Sequence, residues 1–211
     1  ITITSPSAGA YITNTTPTIE FQVKDTDSGV NAGTIAVTVD GTAVSTVTKT
    51  AIDGGYKCTC TSPTLKDGSH TISVKASDND GNAAAAKTAT FTVDTVPPTL
   101  QITAPSNDLI TNKKTVTVSG KTDDVSSKPV TVTVNGTTVT VGTDGTFTKD
   151  VTLVEGANTI TIVAEDKAGK TTTVTRKVTV DTSAPVIKSA TLTPNPVDCG
   201  KTFIIAVEIT D

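Results

Sequence analysis

Two stretches of the chain repeat one pattern, and that pattern decides the fold. The clearer copy reads Leu153-Val154-Glu155-Gly156-Ala157-Asn158-Thr159-Ile160-Thr161-Ile162-Val163-Ala164-Glu165-Asp166. The earlier copy reads Leu65-Lys66-Asp67-Gly68-Ser69-His70-Thr71-Ile72-Ser73-Val74-Lys75-Ala76-Ser77-Asp78. In both copies apolar residues recur at every second position after the glycine, which is typical of a half-buried strand. A repeat of this kind indicates that one type of domain is used more than once.

The ends of the two copies divide the chain into domains. Each copy ends in Val-Asp-Thr and a proline, at Val93-Asp94-Thr95-Val96-Pro97-Pro98 and at Val180-Asp181-Thr182-Ser183-Ala184-Pro185. We therefore expect a first domain at residues 1–94, a second at 95–181, and the truncated start of a third unit at 182–211. Because the pattern starts at Ile1 and stops at Asp211 inside a strand, we also expect the chain to be a fragment of a larger protein.

Alternating apolar residues run through most of the second copy and predict antiparallel strands with one solvent-exposed face. These residues are Val116, Val118, Val130, Val132, Val134, Val139, Val141, Ile160, Ile162, Ala164, Val174, Val178 and Val180. The dipeptides Asp40-Gly41 and Asn135-Gly136 supply the positive φ angles that two-residue hairpin turns need. About seven short strands per copy, with a turn signal every 8–12 residues, predict an all-β fold of antiparallel β-sandwiches.

The composition limits what the core contains. Aromatic residues make up 3% of the 211 residues, and the chain has no Trp and no Met. The core is therefore expected to consist of Val, Ile, Leu and Ala, with Phe21, Phe91 and Phe147 as the large side chains. The run Asn82–Lys87 favours a helix by intrinsic propensity, but its counterpart in the second copy is strand-like. We expect it to belong to the last strand of the first domain.

Charge, hydropathy and cysteine usage exclude several classes of function. The net charge of −4 and the scattered lysines argue against a nucleic-acid partner, which needs a clustered basic surface. No apolar run approaches the roughly 20 residues that cross a bilayer, so no membrane insertion is expected in this segment. Cys58 and Cys60 point to one face of a probable strand, where they cannot easily bond each other. With Cys199 they are expected to be free thiols.

The same residues resemble bacterial Ig-like domains, which occur in tandem in secreted, cell-surface and phage virion proteins. The resemblance is carried by residues 98–105, by Val134-Asn135-Gly136 and Gly145-Thr146-Phe147, and by residues 153–160 and 164–169. The second copy also resembles the Ig-like accessory domain found beside glucan-degrading enzymes. The first copy departs from the pattern between Thr46 and Pro63, and residues 187–197 resemble the opening of a further Ig-like unit. The resemblance implies tandem Ig-like sandwiches, which serve many roles.

The function that this resemblance implies is a non-enzymatic stalk, spacer or display segment. Its expected location is extracellular, on a bacterial cell surface or in a phage virion. The expected partners are the neighbouring Ig-like domains of the same chain, and possible further partners are a host surface glycan or protein. Two alternatives stay open: an adhesive module that binds such a partner, for which Thr46–Pro63 is the expected contact surface, and an accessory module of a carbohydrate-active enzyme.

The acidic loops are the best candidates for a binding site. In an Ig-like sandwich the loops that carry Asp25 and Asp27, and Asp78 and Asp80, lie at the same end, and their oxygens suit calcium. The second copy has Asp123, Asp124 and Asp166 in the matching loops, with Asp94 in the linker before it. Asp, Asn and Gly also dominate ordinary turns, and neither loop fits the EF-hand spacing. No cofactor other than calcium is expected.

No catalytic group is expected. The single histidine, His70, aligns with Asn158 and is expected to be a surface residue at the end of a strand. Imidazole needs a second and a third group to act in catalysis or to bind a metal. The sequence contains no nucleophile elbow, no paired carboxylates of the glycosidase type and no glycine-rich phosphate loop.

Overall fold

The chain folds into two β-sandwiches followed by a two-stranded hairpin, which confirms the all-β tandem fold. The computed structural model describes residues 1–193, 199–200, 202 and 204–210. These described residues contain no helix long and apolar enough to cross a membrane.

The first sandwich contains nine strands. They are β1 (Thr2–Ser5), β2 (Tyr11–Ile12), β3 (Thr18–Lys24), β4 (Val30–Val39), β5 (Thr42–Ala43), β6 (Thr48–Ile52), β7 (Gly55–Thr61), β8 (Gly68–Asp78) and β9 (Lys87–Val93). One sheet has the strand order β1-β3-β7-β6, and the other has the order β2-β9-β8-β4-β5.

The second sandwich contains eight strands. They are β10 (Thr99–Ala104), β11 (Leu109–Thr111), β12 (Thr115–Asp123), β13 (Thr131–Val134), β14 (Thr137–Val139), β15 (Thr146–Thr152), β16 (Gly156–Glu165) and β17 (Thr171–Val180). Its sheets have the orders β10-β12-β15 and β11-β17-β16-β13-β14. β2 and β11 each pair in parallel with the last strand of their own sandwich. The two sandwiches therefore share one topology, apart from β6.

Each sandwich has its own apolar core, built from the alternating residues of both sheets. Of the residues expected to be buried in the second sandwich, most are, and Val116, Val141 and Val174 are partly buried. Phe21, Phe91 and Phe147 are buried as expected. Because a fully buried Val, Ile or Phe side chain contributes about 1.5–3 kcal/mol, this alternation supplies most of the driving force for folding.

The predicted hairpin turns have the expected backbone. Asp40 and Gly41 have φ angles of 49° and 79°, and Asn135 and Gly136 have φ angles of 47° and 77°. Positive φ at both central residues is the geometry that matches the twist of the flanking strands. The Asp-Gly and Asn-Gly dipeptides therefore set the β4–β5 and β13–β14 connections.

The longer segment of the first copy folds as an additional edge strand. β6 pairs with β7 in antiparallel register, from Thr48 opposite Thr59 to Ile52 opposite Gly55. In the second sandwich β15 occupies the position of β7 and has no such neighbour. The departure between Thr46 and Pro63 is thus a hairpin within the sheet.

The expectation for the alanine run is wrong in its boundary. The last strand of the first sandwich begins at Lys87 instead of at Asn82. Ser77 forms a bridge with Ala83, whereas Val74 pairs with Lys87, so the strand after the turn contains one extra residue between these pairs. β16 and β17 pair without such a shift, from Gly156 opposite Val180 to Glu165 opposite Thr171. The extra residue interrupts the ladder, as in a β-bulge.

In the two cores, a large and a small residue occupy neighbouring strands of one sheet in opposite order. Ile3 pairs with Phe21 and Ile102 pairs with Gly120, so Phe21 and Gly120 occupy equivalent positions. Phe21 lies opposite Cys58, and Gly120 lies opposite Phe147. A Cβ atom on Gly120 would lie 2.7 Å from Cζ of Phe147 and 2.5 Å from the Gln101 carbonyl oxygen. Gly120 therefore makes room for the phenylalanine ring.

A hairpin follows the second sandwich. β18 (Val186–Thr193) pairs with β19 (Ile204–Thr210), and Val186 lies opposite Thr210 as Thr99 lies opposite Asp123. Its apolar side chains are exposed among the described residues. Residues 194–197, which belong to the expected opening of a third unit, lie outside the described residues.

Replacing Gly120 with alanine is expected to destabilise the second sandwich by about 1–3 kcal/mol, the usual cost of overpacking a core. The added methyl group would meet the Phe147 ring and the Gln101 carbonyl. Chemical denaturation of the full chain measures the change, with Thr115→Ala on the exposed side of the same strand as the control. An unchanged transition for Gly120→Ala would contradict the expected clash.

The cysteines are expected to differ in reactivity. Cys58 and Cys60 are buried in the first core, and Cys199 is exposed. Burial raises the pKa of Cys58, against the opposing charge of Lys49, and burial together with Cys58 raises the pKa of Cys60 to about 11. Because the thiolate is the reactive form, the native protein should react rapidly with one equivalent of a thiol reagent. It should react with three equivalents only when denatured, and rapid reaction of three thiols in the native state would contradict this.

Candidate metal centre at the joint between the sandwiches

Three aspartates meet where the first sandwich joins the second. Asp94 follows β9, Asp124 follows β12 and Asp166 follows β16. One carboxylate oxygen from each lies within 4.8 Å of the other two, and all three residues are buried. The relative exposures are 1% for Asp94 and 6% for both Asp124 and Asp166. The cluster combines one residue from the first repeat with two loops of the second.

Local backbone hydrogen bonds hold each carboxylate in place. Oδ1 of Asp124 accepts from the N–H groups of Ser126 and Ser127, at 2.8 and 2.7 Å. Oδ1 of Asp166 accepts from the Lys170 N–H at 2.9 Å, and Oδ1 of Asp94 accepts from the Val96 N–H at 3.1 Å. Each aspartate therefore orders its own turn with one oxygen and has a second oxygen free for another partner.

Several buried polar atoms at this joint have no partner among the described residues. They are Oδ2 of Asp94, Oδ2 of Asp166 and the hydroxyl oxygen of Ser127. The two turns that carry Asp124 and Asp166 are joined by a hydrogen bond from the Lys167 N–H to the Ser127 carbonyl, at 3.3 Å. Buried polar atoms without hydrogen bonds are rare, because each one loses its hydration.

None of the ion pairs in the described part of the chain includes Asp94, Asp124 or Asp166. The three ion pairs found within the described residues join Lys57 to Glu20, His70 to Asp40 and Lys128 to Asp123. Two unit charges at this spacing repel each other by roughly 3 kcal/mol at an effective dielectric constant of about 20. When all three carboxylates are ionised, this repulsion opposes folding.

The electrostatics of Asp94 follow from this arrangement. Burial raises the pKa of the Asp94 carboxyl above its ordinary value, while the hydrogen bond from Val96 lowers it. The charges of Asp124, Asp166 and Asp67 raise the pKa further, so the net shift is upward. Three carboxylate oxygens at this spacing are the ligand type of a hard cation such as Ca²⁺ or Mg²⁺.

The predicted calcium ligands Asp25, Asp27, Asp78 and Asp80 lie in the first sandwich. Asp25 and Asp78 line one cavity of about 240 Å³, and Asp27 and Asp80 are exposed on turns. Asp25 Oδ2 accepts from the Gly29 N–H at 2.7 Å, and both oxygens of Asp78 accept from Asn82. These four form no three-carboxylate group within the part of the chain that the structure describes. Calcium binding by them stays a prediction.

The register of the strands relates these residues to the joint. Because Phe21 is equivalent to Gly120, Asp25 is equivalent to Asp124, and the repeat makes Asp78 equivalent to Asp166. The predicted calcium ligands are the residues of the first copy, whereas the cluster forms from Asp94, Asp124 and Asp166, which the sequence places in the linker and in the matching loops of the second copy.

The expectation that His70 is a surface residue is wrong. Its exposure is 9%, and its ring packs against Phe91 with 5.7 Å between centroids. Nδ1 lies 2.7 Å from Oδ2 of Asp40, and Nε2 lies 2.7 Å from the Lys66 carbonyl oxygen. Since both partners are acceptors, the doubly protonated imidazolium satisfies both contacts. His70 therefore ties the β4–β5 turn to the start of β8.

In the second sandwich two separate neutral amides stand in place of the His70–Asp40 pair. Asn135 Oδ1 accepts from the Thr161 N–H at 2.8 Å, as Asp40 Oδ1 accepts from the Thr71 N–H at 2.8 Å. Asn158 donates to the Val154 carbonyl at 2.7 Å, in the place of the His70 contact with Lys66. The role of His70 in these contacts is structural.

The topology and the two separate cores define a tandem of Ig-like β-sandwiches. Residues 4–95 match the family described as bacterial Ig-like domain. Residues 98–182 match the family described as glucodextranase, domain B. The chain thus contains a bacterial Ig-like domain followed by a domain of the glucodextranase domain B type, two Ig-like domains in tandem. As such, the segment consists of non-catalytic domains.

One curated relative and two solved structures extend the comparison. The chain is 31% identical over 185 residues to bacillopeptidase F of Bacillus subtilis (strain 168), covering 88% of this chain and 12% of that protein. The fibronectin(III)-like modules of Clostridium thermocellum CbhA match with a TM-score of 0.50 at 21% identity, over 85% of this chain and 93% of that one.

A titin fragment of three Ig domains matches with a TM-score of 0.51 at 12% identity, over 98% of this chain and 74% of that one. At these identities the two structural matches show the fold alone.

The His70–Asp40 pair predicts a pH dependence that is specific to the first sandwich. Burial by itself lowers the pKa of His70, but its hydrogen bonds to Asp40 and Lys66 and the Asp40 charge outweigh burial and raise it above 6.5. Burial by itself raises the pKa of Asp40, but the contacts with His70 and Thr71 lower it below 3.8. The stabilisation from His70 is thus complete below about pH 6.5 and is lost as the pH rises through its folded pKa.

Asp40 contributes stability above its unfolded pKa and loses it as the pH falls through the lowered folded value. Thermal unfolding of the full chain should therefore show a first-sandwich transition whose temperature falls as the pH rises above about 6.5. His70→Asn, which copies the amide of the second sandwich, should abolish that fall. An NMR titration that gives His70 a pKa below 6.5 would contradict the assignment.

Proposed function

We propose that this chain is a spacer segment of a secreted, multidomain bacterial protein, in which Ig-like sandwiches follow one another through stiff joints. The observation that carries this proposal is that the chain enters and leaves each sandwich at opposite ends. Each domain added in this way lengthens the chain instead of folding back on it.

The strand register places the two ends of the second sandwich far apart. The chain enters through Thr99, opposite Asp123, at the end that carries Asp124 and Asp166. It leaves through Val180, which pairs with Gly156 at the other end of β16. Since β16 has ten residues, the two ends are separated by roughly 30 Å at a rise of about 3.3 Å per residue. The first sandwich repeats this arrangement, with Val93 opposite Gly68 at its exit.

The linker after each sandwich is held by the same hydrogen bonds. After the first, the N–H and hydroxyl of Thr95 donate to Asp67, at 3.1 and 2.9 Å. After the second, the N–H and hydroxyl of Thr182 donate to Glu155, at 2.9 and 2.7 Å. Proline then follows in both linkers and restricts φ. A joint that is built twice in the same way supports a modular spacer with limited bending.

Contacts across the first joint add to this restriction. Lys167 Nζ lies 5.2 Å from the centre of the Tyr11 ring, which joins a turn of the second sandwich to β2 of the first. A cation–π contact of this kind contributes about 0.5–1 kcal/mol at an exposed site.

The domain boundaries at 1–94 and 95–181 are part of the proposal, with residues 182–211 as the opening of a third unit. The supporting observation is the register of β18 with β19, in which Val186 and Thr210 pair as Thr99 and Asp123 do in the second sandwich. The exposed apolar residues of this hairpin, such as Ile187 and Ile209, would then form one half of a third core.

A second candidate function is an accessory module of a secreted enzyme. It is favoured by the names of the matching proteins, glucodextranase for the second domain and bacillopeptidase F over both domains. Adhesion to a host glycan or protein and a place in a phage virion draw no support from these relatives. Thr46–Pro63, the expected contact surface of an adhesive module, contributes a paired strand hairpin to the first sandwich.

Small-angle X-ray scattering on the full chain tests the spacer. We expect a maximum dimension of at least about 80 Å, because each sandwich with its loops is roughly 40 Å long. Inserting Gly-Gly-Ser between Val96 and Pro97 should broaden the distance distribution by loosening the joint. The same insertion at Asp53-Gly54, the tip of the β6–β7 hairpin, is the control and should leave the distribution unchanged. A compact particle with side-by-side domains would overturn the proposal.

A further inference from the structure

We propose that Asp94, Asp124 and Asp166 bind one Ca²⁺ ion, which ties the first sandwich to the second. The inference rests on the proposed spacer function for its role and adds to it the ligand that controls the joint. Without the cation, the protein would bury three like charges together at the point where its two domains meet.

The free oxygens of the cluster are what points to a ligand. Oδ2 of Asp94 and Oδ2 of Asp166 are buried and have no hydrogen-bond partner within the described part of the chain. Acidic residues that merely order a turn have their oxygens satisfied by backbone N–H groups or by water. At this joint one oxygen of each residue does so, and a buried second oxygen on Asp94 and Asp166 is left without such a partner.

The donor set selects a hard cation. The three ligands are carboxylates, the nearby Ser127 adds an unpartnered hydroxyl, and the only histidine is bonded to Asp40 on the first sandwich. Zinc is held mainly by Cys and His nitrogen or sulfur. Magnesium demands near-ideal octahedral geometry, whereas Ca²⁺ accepts six to eight oxygens in irregular arrangements. Three carboxylates on separate turns fit calcium best.

An acidic hollow leads to the cluster. A cavity of about 330 Å³ is lined by Asp94 and Asp124, together with Asp67 and Asp123. Clefts lined by charges of one sign raise the local concentration of counter-ions. The hollow therefore provides both a path for the ion and room for the water ligands that complete its coordination.

The positions of the three ligands recur along the chain. Asp25 and Asp78 stand in the first domain where Asp124 and Asp166 stand in the second. Asp181 ends the second repeat as Asp94 ends the first. The recurrence explains why a lone copy shows only part of the site: the ion needs the end of one domain and two loops of the next.

Thermal unfolding and calorimetry of the full chain test the inference. With wild-type protein we expect stoichiometric binding of Ca²⁺ to the joint, and a higher Tm in about 10 mM CaCl₂ than in EDTA, since extracellular calcium modules bind at 10⁻⁴–10⁻³ M. Asp166→Asn keeps the shape and the Lys170 contact but removes one charge. It should weaken calcium binding at least tenfold.

The same variant should reverse its effect when calcium is removed. In EDTA, Asp166→Asn is expected to melt at a higher temperature than the wild type, because it relieves repulsion among buried carboxylates. In CaCl₂ it should melt at a lower temperature. Asp150→Asn is the matched control, since Asp150 is exposed on β15, outside the cluster and the hollow. Its Oδ1 accepts from the Thr117 hydroxyl at 2.7 Å, a contact that the asparagine oxygen can keep. It should shift the Tm equally in both conditions and leave calcium binding unchanged.

Absence of calcium binding by the wild type, or the same sign of the Asp166→Asn shift in EDTA and in CaCl₂, would overturn the inference. Equal or stronger stabilisation by MgCl₂ would also overturn it. Scattering measured in EDTA decides the spacer function separately, because an extended tandem that binds no calcium refutes the ion and keeps the spacer. A compact tandem that binds calcium refutes the spacer and keeps the ion.

Discussion

The pairing of the last two strands in each sandwich, β8 with β9 and β16 with β17, is the constraint on which the rest of the structure depends. β8 has 11 residues and β16 and β17 have ten each, and the register of the two pairs brings Ile72 and Ile160 into the two cores. The same register sends the chain out at the end opposite to the one where it entered. It also assigns the acidic residues to the two ends of the sandwich, with Asp166 at the incoming joint and Glu155 at the outgoing one. The core, the direction of the chain and the positions of the acidic residues thus all depend on the pairing of the last two strands.

Within that constraint, the two copies use different side chains at equivalent positions of the core and of the turns. Phe21 with Cys58 and Gly120 with Phe147 fill the same space in opposite order, because a core needs a given volume and is indifferent to which strand supplies it. One protonated ring, that of His70, joins Asp40 to the Lys66 carbonyl. In the second sandwich Asn135 bonds Thr161 and Asn158 bonds Val154, as two separate neutral contacts. The contacts in the first sandwich therefore respond to pH, and those in the second do not.

The joint is where the two copies depend on each other. Asp94 belongs to the first repeat by sequence, yet its carboxylate lies with two residues of the second. Buried carboxylates without a counter-charge are costly, and this cost falls at the boundary between the two sandwiches. In the proposed spacer, a bound cation would replace that repulsion with attraction and hold the two domains together. The repeated hydrogen bonds from Thr95 and Thr182 would restrict the linkers even without it.

The sequence by itself determined the strands, the turns and the order of the domains, because these depend on period-two burial and on backbone preferences that act over a few residues. Asn135-Gly136 and the Ile160–Ile162 alternation were sufficient for that. The start of β9 at Lys87 could not be predicted from the sequence, because an extra residue in a strand is recognised only when the pairing with the neighbouring strand is known. The burial of His70 and the meeting of Asp94, Asp124 and Asp166 were likewise decided by tertiary structure. Both depend on which distant segments pack together. The sequence around an aspartate on a turn does not show whether its carboxylate is exposed to solvent or lies beside another charge.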